Sequence, residues 1–171
     1  QQSRHISSTD SIYPVSGFAL LFCDSAQTCT FDSVITPKYK KQFRSFSDCR
    51  QTNISGGNIW LRIPLQYAIK GDSRWLLTFG FFRNVTVYYP DNKGSYNAVE
   101  SGYGLPFHKQ NEKRLSYSGR AVWIPLYASQ PKTELFIKIQ DSQNQTIGNI
   151  RLQSERKFFE FLSRRNIFQG I

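Results

Sequence analysis

The chain has 171 residues, 39% hydrophobic and 15% aromatic with only 20% charged, enough apolar bulk to bury a core as one domain and too much for a disordered, collagen-like or coiled-coil chain. Lys and Arg number 22 against 12 Asp and Glu, a formal net charge of +10, so the surface favours anionic partners, among them nucleic acid, anionic lipid headgroups and acidic glycans. No stretch approaches the roughly 20 apolar residues of a membrane-spanning helix. No Cys/His cluster has zinc spacing, so neither a metal nor a cofactor is expected.

The chain contains no Met, position 1 included, which points to an upstream segment removed before Gln1; a cleaved export signal is one explanation. Residues 1–13, polar and Ser-rich, read as a loose terminus. A first strand is predicted over 18–23. Cys23 and Cys29 suit either a short disulfide loop, leaving Cys49 odd, or buried thiols acting as small hydrophobes. Residues 32–35 begin like a helix and lead into a run at 38–44 that interleaves Lys38, Lys40, Lys41 and Arg44 with Tyr39 and Phe43. From Ile59 onward, period-2 alternation dominates. Strands are predicted over 59–65, 75–81, 85–89, 95–99, 121–126, 135–139 and 147–152, and residues 90–94 (PDNKG) have the chemistry of a hairpin turn. A long loop, 100–118, has the length of a functional segment. About eight strands is the number of a jelly roll. The fold is therefore predicted as an all-β jelly-roll sandwich of antiparallel strands over 14–153. Residues 154–171 form an amphipathic helical ending in which Phe158, Phe161 and Leu162 recur at helical spacing.

Catalysis lacks its parts. His5 and His108 fall in the terminus and the long loop with no nucleophile elbow beside them. Asp72, Asp91 and Asp141 sit at turns, and no strand-borne pair of carboxylates is visible for glycoside chemistry. The chain reads as a non-enzyme. The run at 38–44 resembles a single-strand groove but comes with no RNA-recognition motif or groove-reading helix; it reads as a solvated basic loop over tucked aromatics, with no nucleic acid among its partners.

The strands carry the better candidates. With aliphatic side chains claiming one face of 59–65, Trp60 and Arg62 share the other, and the same alternation turns Trp123 outward on 121–126. Flat aromatic faces with an arginine suit sugar rings and their hydroxyl or carboxylate groups; the competing reading is that a helix or loop covers the outer face and makes the tryptophans structural. Stacking is expected of Trp60 and Trp123 and ion pairing or hydroxyl recognition of Arg62. Tyr103, His108 and Arg114 are placed on the long loop to close over the site.

The order of FALLFCD (18–24), TFDSVI (30–35), NIWLRIPL (58–65), WLLTFG (75–80), VTVYYP (85–90) and SGYGLPF (101–107) resembles the type 2 extracellular domain of bacterial seven-transmembrane receptors with diverse intracellular signalling modules, the 7TMR-DISM family, across residues 14–152. The resemblance implies a periplasmic jelly roll similar to carbohydrate-binding modules. It would be the ectodomain of an inner-membrane receptor, joined to seven membrane helices and a histidine kinase or diguanylate cyclase module, with a receptor dimer among the partners allowed. Residues 158–171 would be the approach to the first membrane helix, a place an amphipathic basic stretch suits. The function expected is a sensory input domain that binds a carbohydrate or other anionic extracellular ligand and is membrane-attached through its C-terminus. The alternative is a protein-interaction or dimerisation module with no small ligand.

Overall fold

The computed structural model describes residues 4–6, 11–45, 57–68, 71–80, 82–105, 121–140, 149–160 and 163. In chain order they form β1 (Arg4–Ile6), β2 (Ile12–Pro14), a 3₁₀ turn (Val15–Gly17), β3 (Leu20–Asp24), α1 (Phe31–Val34), α2 (Pro37–Lys40), β4 (Arg44–Ser45), β5 (Asn58–Tyr67), β6 (Ser73–Thr78), β7 (Asn84–Pro90), β8 (Tyr96–Ser101), β9 (Ala121–Leu126), β10 (Lys132–Gln140) and β11 (Arg151–Ser154). Residues 155–160 are helical, here α3.

The strands make two sheets, β4-β3-β5-β10-β7-β8 with β1 beside β5, and β2-β11-β6-β9. The orders β5-β10-β7-β8 and β2-β11-β6-β9 are the two four-stranded sheets of a jelly roll, with β3 and β4 extending the larger. The predicted all-β sandwich is the observed fold. Residues 4–6, 12 and 13 differ from the loose terminus expected of them. β1 runs parallel to the end of β5, where Ile6 is fully buried, and β2 pairs with β11. Three-residue strands are too short to show an alternation.

One face of each sheet meets the other in a shared core. Ile59, Leu61, Ile63 and Leu65 from β5 and Leu135, Ile137 and Ile139 from β10 face Trp75 and Leu77 from β6 and Val122, Ile124 and Leu126 from β9. Burying each side chain contributes on the order of 1.5–3 kcal/mol. The predicted hairpin forms between β7 and β8, where Asp91 Oδ1 accepts from Lys93 N at 2.8 Å and Ser95 N at 2.9 Å and Gly94 takes φ +85, the left-handed conformation that glycine adopts without strain. β5 is buried at nearly every position rather than at alternate ones. Both of its faces are covered, which decides where a ligand has room.

Candidate site: a cationic cleft on the larger sheet

Alternation on β5 sends Trp60, Arg62 and Pro64 to the outer face of the larger sheet, as the sequence predicts. That face is covered over half its length by residues 28–43. Asp24 begins the cover by accepting Thr28 N and Cys29 N at 3.2 and 2.9 Å. Thr30 and Ser33 close a reciprocal capping box on α1, which satisfies two amide donors of the first turn, and Pro37 opens α2, where its missing N–H costs nothing. The two short helices and the turn after them press Phe31, Val34, Tyr39 and Phe43 onto Phe22, Trp60, Tyr88 and Phe136. Phe31 stacks on Tyr88 with ring centroids 4.2 Å apart and an interplanar angle of 3°, and Trp60 lies against the same tyrosine at 5.8 Å.

Trp60 is thus 0% exposed. The expectation that it offers a flat face to a sugar is corrected, because the aromatic residues of 38–44 turn onto the cluster that encloses it: Tyr39 and Phe43 join that cluster while Lys38, Lys41 and Arg44 stay exposed. Cys29 sits in this same cover, and burial, then the charge of Asp24, raise its thiol pKa. Cys23 faces the core between the sheets. The two lie on opposite sides of the larger sheet and are not joined in a disulfide.

Trp123 belongs to the other sheet and its opposite outer face, packed with Leu76, Ala121 and Phe158. α3 covers it in part: the Phe158 ring meets it edge-on at 6.5 Å, and Arg74 lies 5.2 Å over its face while pairing with Glu155 at 2.7 Å. The core of the sandwich separates Trp123 from Arg62, so the two cannot share a ligand. Tyr103 is 57% exposed and held by its amide to Phe82 O. It follows the far end of β8, about 17 Å of strand from the Tyr96 end, and does not approach Arg62. His108 and Arg114 lie outside the described residues, as does the side chain of His5.

Beyond the cover, toward the β7–β8 turn, the same face opens into a cleft of about 430 Å³ lined by Arg62, Pro64, Leu65, Pro90, Gly94, Tyr96, Gln130, Lys132, Thr133 and Glu134, a volume of ligand-site size. Arg62 is buried, and its Nε donates to Glu134 Oε1 at 2.9 Å; Nη2 donates to the same oxygen. Lys40 Nζ, reaching down from α2, donates to Glu134 Oε2 at 2.6 Å. Burial raises the Glu134 pKa, but the hydrogen bonds and charges of Arg62 and Lys40 outweigh it and hold the carboxyl below its ordinary value. The Tyr96 hydroxyl donates to the backbone carbonyl of Glu134 at 3.1 Å; burial first and the Glu134 charge second push its pKa up to about 12. Gln130 Nε2 donates to Asp91 O at 3.2 Å, tying together the two turns that form the rim.

Two cations, Arg62 and Lys40, thus meet one carboxylate, and Lys132 adds a third at the rim. A larger hollow of about 600 Å³ lies beside the start of α3 and includes Asp72, Arg74, Glu155 and Arg156, but its acids and bases balance. The smaller cleft has the net charge to attract an anion and is the stronger candidate. Of the described residues nominated from sequence, Arg62 alone lines it. Glu134, Tyr96, Lys40 and Lys132 were missed; Glu134 lies one residue before the strand predicted at 135–139, and its outward parity acquires meaning only once it is known to pair with Pro64.

The chain is thus a jelly roll with a cationic cleft on one sheet and α3 laid across the other. The chain belongs to the 7TMR-DISM extracellular 2 family, whose profile matches residues 17–154. It is a periplasmic sensor domain of a membrane receptor, of a family not itself catalytic. The match ends at the last residue of β11, so α3 follows it. No curated protein matches the chain. Among the described residues no helix is long and apolar enough to cross a membrane, and no group of three or more His, Cys, Asp or Glu is placed to hold a metal ion.

Proposed function

We propose that this sensor domain takes a carbohydrate or other anionic small ligand in the Arg62 cleft and passes its occupancy to the rest of the receptor through α3. The observation that carries the reading is the cleft itself: guanidinium and ammonium donors above a floor and walls of Pro64, Pro90 and Tyr96, the mixture of apolar surface and few polar groups that small-molecule sites use.

A sensor also needs an element with two states of similar free energy, because a ligand shifts an equilibrium only by its differential affinity. α3 suits that role. Of its described residues Phe158 supplies the buried contact, worth about 1.5–3 kcal/mol, and the exposed Arg74–Glu155 pair adds at most about 1 kcal/mol. The cleft and α3 are joined by a short path. Gln130 and Lys132 line the cleft just after β9, and β9 carries Trp123 under Phe158. A ligand that repositions the 127–131 turn therefore pulls on the strand α3 rests against.

Thermal-shift and glycan-array screening of this chain tests the reading. A sugar or sugar acid should raise the melting temperature, and Lys132→Ala, an exposed change without a folding role, should weaken its binding at least severalfold. Binding that Lys132→Ala leaves unchanged, or no binder among neutral and acidic glycans, would overturn the cleft assignment.

A further inference from the structure

We infer that the ligand of this cleft carries a carboxylate on a ring-sized body, as a uronic acid does, and that Glu134 is the internal group it competes with. The inference rests on the cleft being the ligand site.

It follows from counting donors and acceptors. Glu134 Oε1 already accepts two nitrogens of Arg62, and Oε2 accepts Lys40, so most of its lone pairs are committed. A guanidinium has five N–H donors, and in the described residues only Nε and Nη2 of Arg62 are engaged. Lys132 adds an ammonium at the rim. The cleft thus keeps charged donors beside only neutral acceptors, the Gln130 amide oxygen and the Tyr96 hydroxyl oxygen, once Glu134 is committed. A neutral sugar can bond these groups but pairs with no charge; a carboxylate matches the remaining donors of the Arg62 fork and makes the stronger charge-assisted bonds. Charge leads to the same ligand, since Arg62 and Lys132 in the lining exceed Glu134 by one positive charge and Lys40 pairs with that same carboxylate.

Pro64, Pro90 and Tyr96 give the ring an apolar seat. Glu134 then sets the threshold. An arriving carboxylate is drawn by the cations and repelled by Glu134, and in pairing with Arg62 it loosens the arginine's hold on Glu134. Removing the charge of Glu134 while keeping its shape should therefore favour acids and leave neutral sugars unaffected.

The test compares glucuronate with glucose, which differ by the carboxylate, on this chain and on Glu134→Gln and Lys132→Ala, reading the Arg62 Nε resonance by NMR and affinity by calorimetry. Glucuronate should move the Arg62 resonance and glucose should not. Glu134→Gln should tighten glucuronate tenfold or more with glucose unchanged, Lys132→Ala should weaken it, and added salt should weaken it in every form. If glucose and glucuronate perturb Arg62 equally, or Glu134→Gln leaves their affinity ratio unchanged, the acid assignment is wrong and the cleft stands. If neither moves Arg62 at tens of millimolar, the cleft assignment falls and this inference with it.

Discussion

Trp60 and Trp123 face outward from opposite sheets, and each is covered by a helical segment, yet the two covers are different objects. Residues 28–43 lie over Trp60 with Val34 and Phe43 buried and Phe31 and Tyr39 partly so, a seat on the order of 5–10 kcal/mol. α3 lies over Trp123 with Phe158 as its buried anchor. The first costs too much to lift and works as a second core. The second costs a few kcal/mol, which a binding event can supply or withdraw. How many side chains a cover buries, rather than whether it exists, separates a fixed wall from a movable part.

The comparison breaks most readily at its largest expected effect. Trp60→Ala should cost about 3–5 kcal/mol, read as a lower urea midpoint for the whole domain. Phe158→Ala should leave that midpoint within about 1 kcal/mol, because α3 can leave its place without the sandwich opening, while amide exchange over 155–160 rises by an order of magnitude or more. A Phe158→Ala variant that unfolds as easily as Trp60→Ala would make the two covers equivalent.

Acid should sharpen the same contrast. Glu134, the ion-pair tether of the Trp60 cover through Lys40, has a folded pKa below its unfolded one. Its contribution is then fully present above the ordinary glutamate value of 4.5 and is lost as pH falls through the lower folded value. The urea midpoint should be flat in this respect at neutral pH and drop below about pH 4.5, and Glu134→Gln should lower the neutral-pH midpoint and reduce the acid slope. On α3, hydrogen bonds from Lys157 and then Arg156 also lower the Glu160 pKa, but these groups are on the surface of a helix whose buried anchor is Phe158, so their protonation should appear in local exchange rather than in the midpoint.

This contrast also marks where sequence becomes uninformative. Alternation identified the strands and turned Trp60, Arg62 and Trp123 outward correctly, because a period of two is a local property of the backbone. What lies on an outward residue is not local. The cover over Trp60 is built from two helices of four residues each, too short for a helical period, and its aromatics are interspersed with lysines that made the stretch look solvated. Glu134 escaped notice for a related reason: it reaches Arg62 across 72 residues of chain, through the β5–β10 register, which a pattern read along one strand does not contain. The ion pair at the cleft is a product of topology, and the hydrophobic pattern carries no trace of it.

The smallest effect tests how loosely α3 is held. Arg74 lies over Trp123 at 5.2 Å and bonds Glu155 at 2.7 Å with side-chain exposures of 63% and 37%. Both contacts work in solvent, so Arg74→Ala should cost α3 no more than about 1 kcal/mol. Since 1.4 kcal/mol is a factor of ten, that loss raises the detached population by up to about fivefold, enough to register in exchange at 155–160 and too little to move the unfolding midpoint. Salt should reproduce part of the change in the unmodified chain, because it screens the Arg74–Glu155 pair while leaving Phe158 in place, and should add little to Arg74→Ala. If Arg74→Ala instead lowers the global midpoint, α3 unfolds only with the sandwich, and it cannot be the part that reports what the cleft has bound.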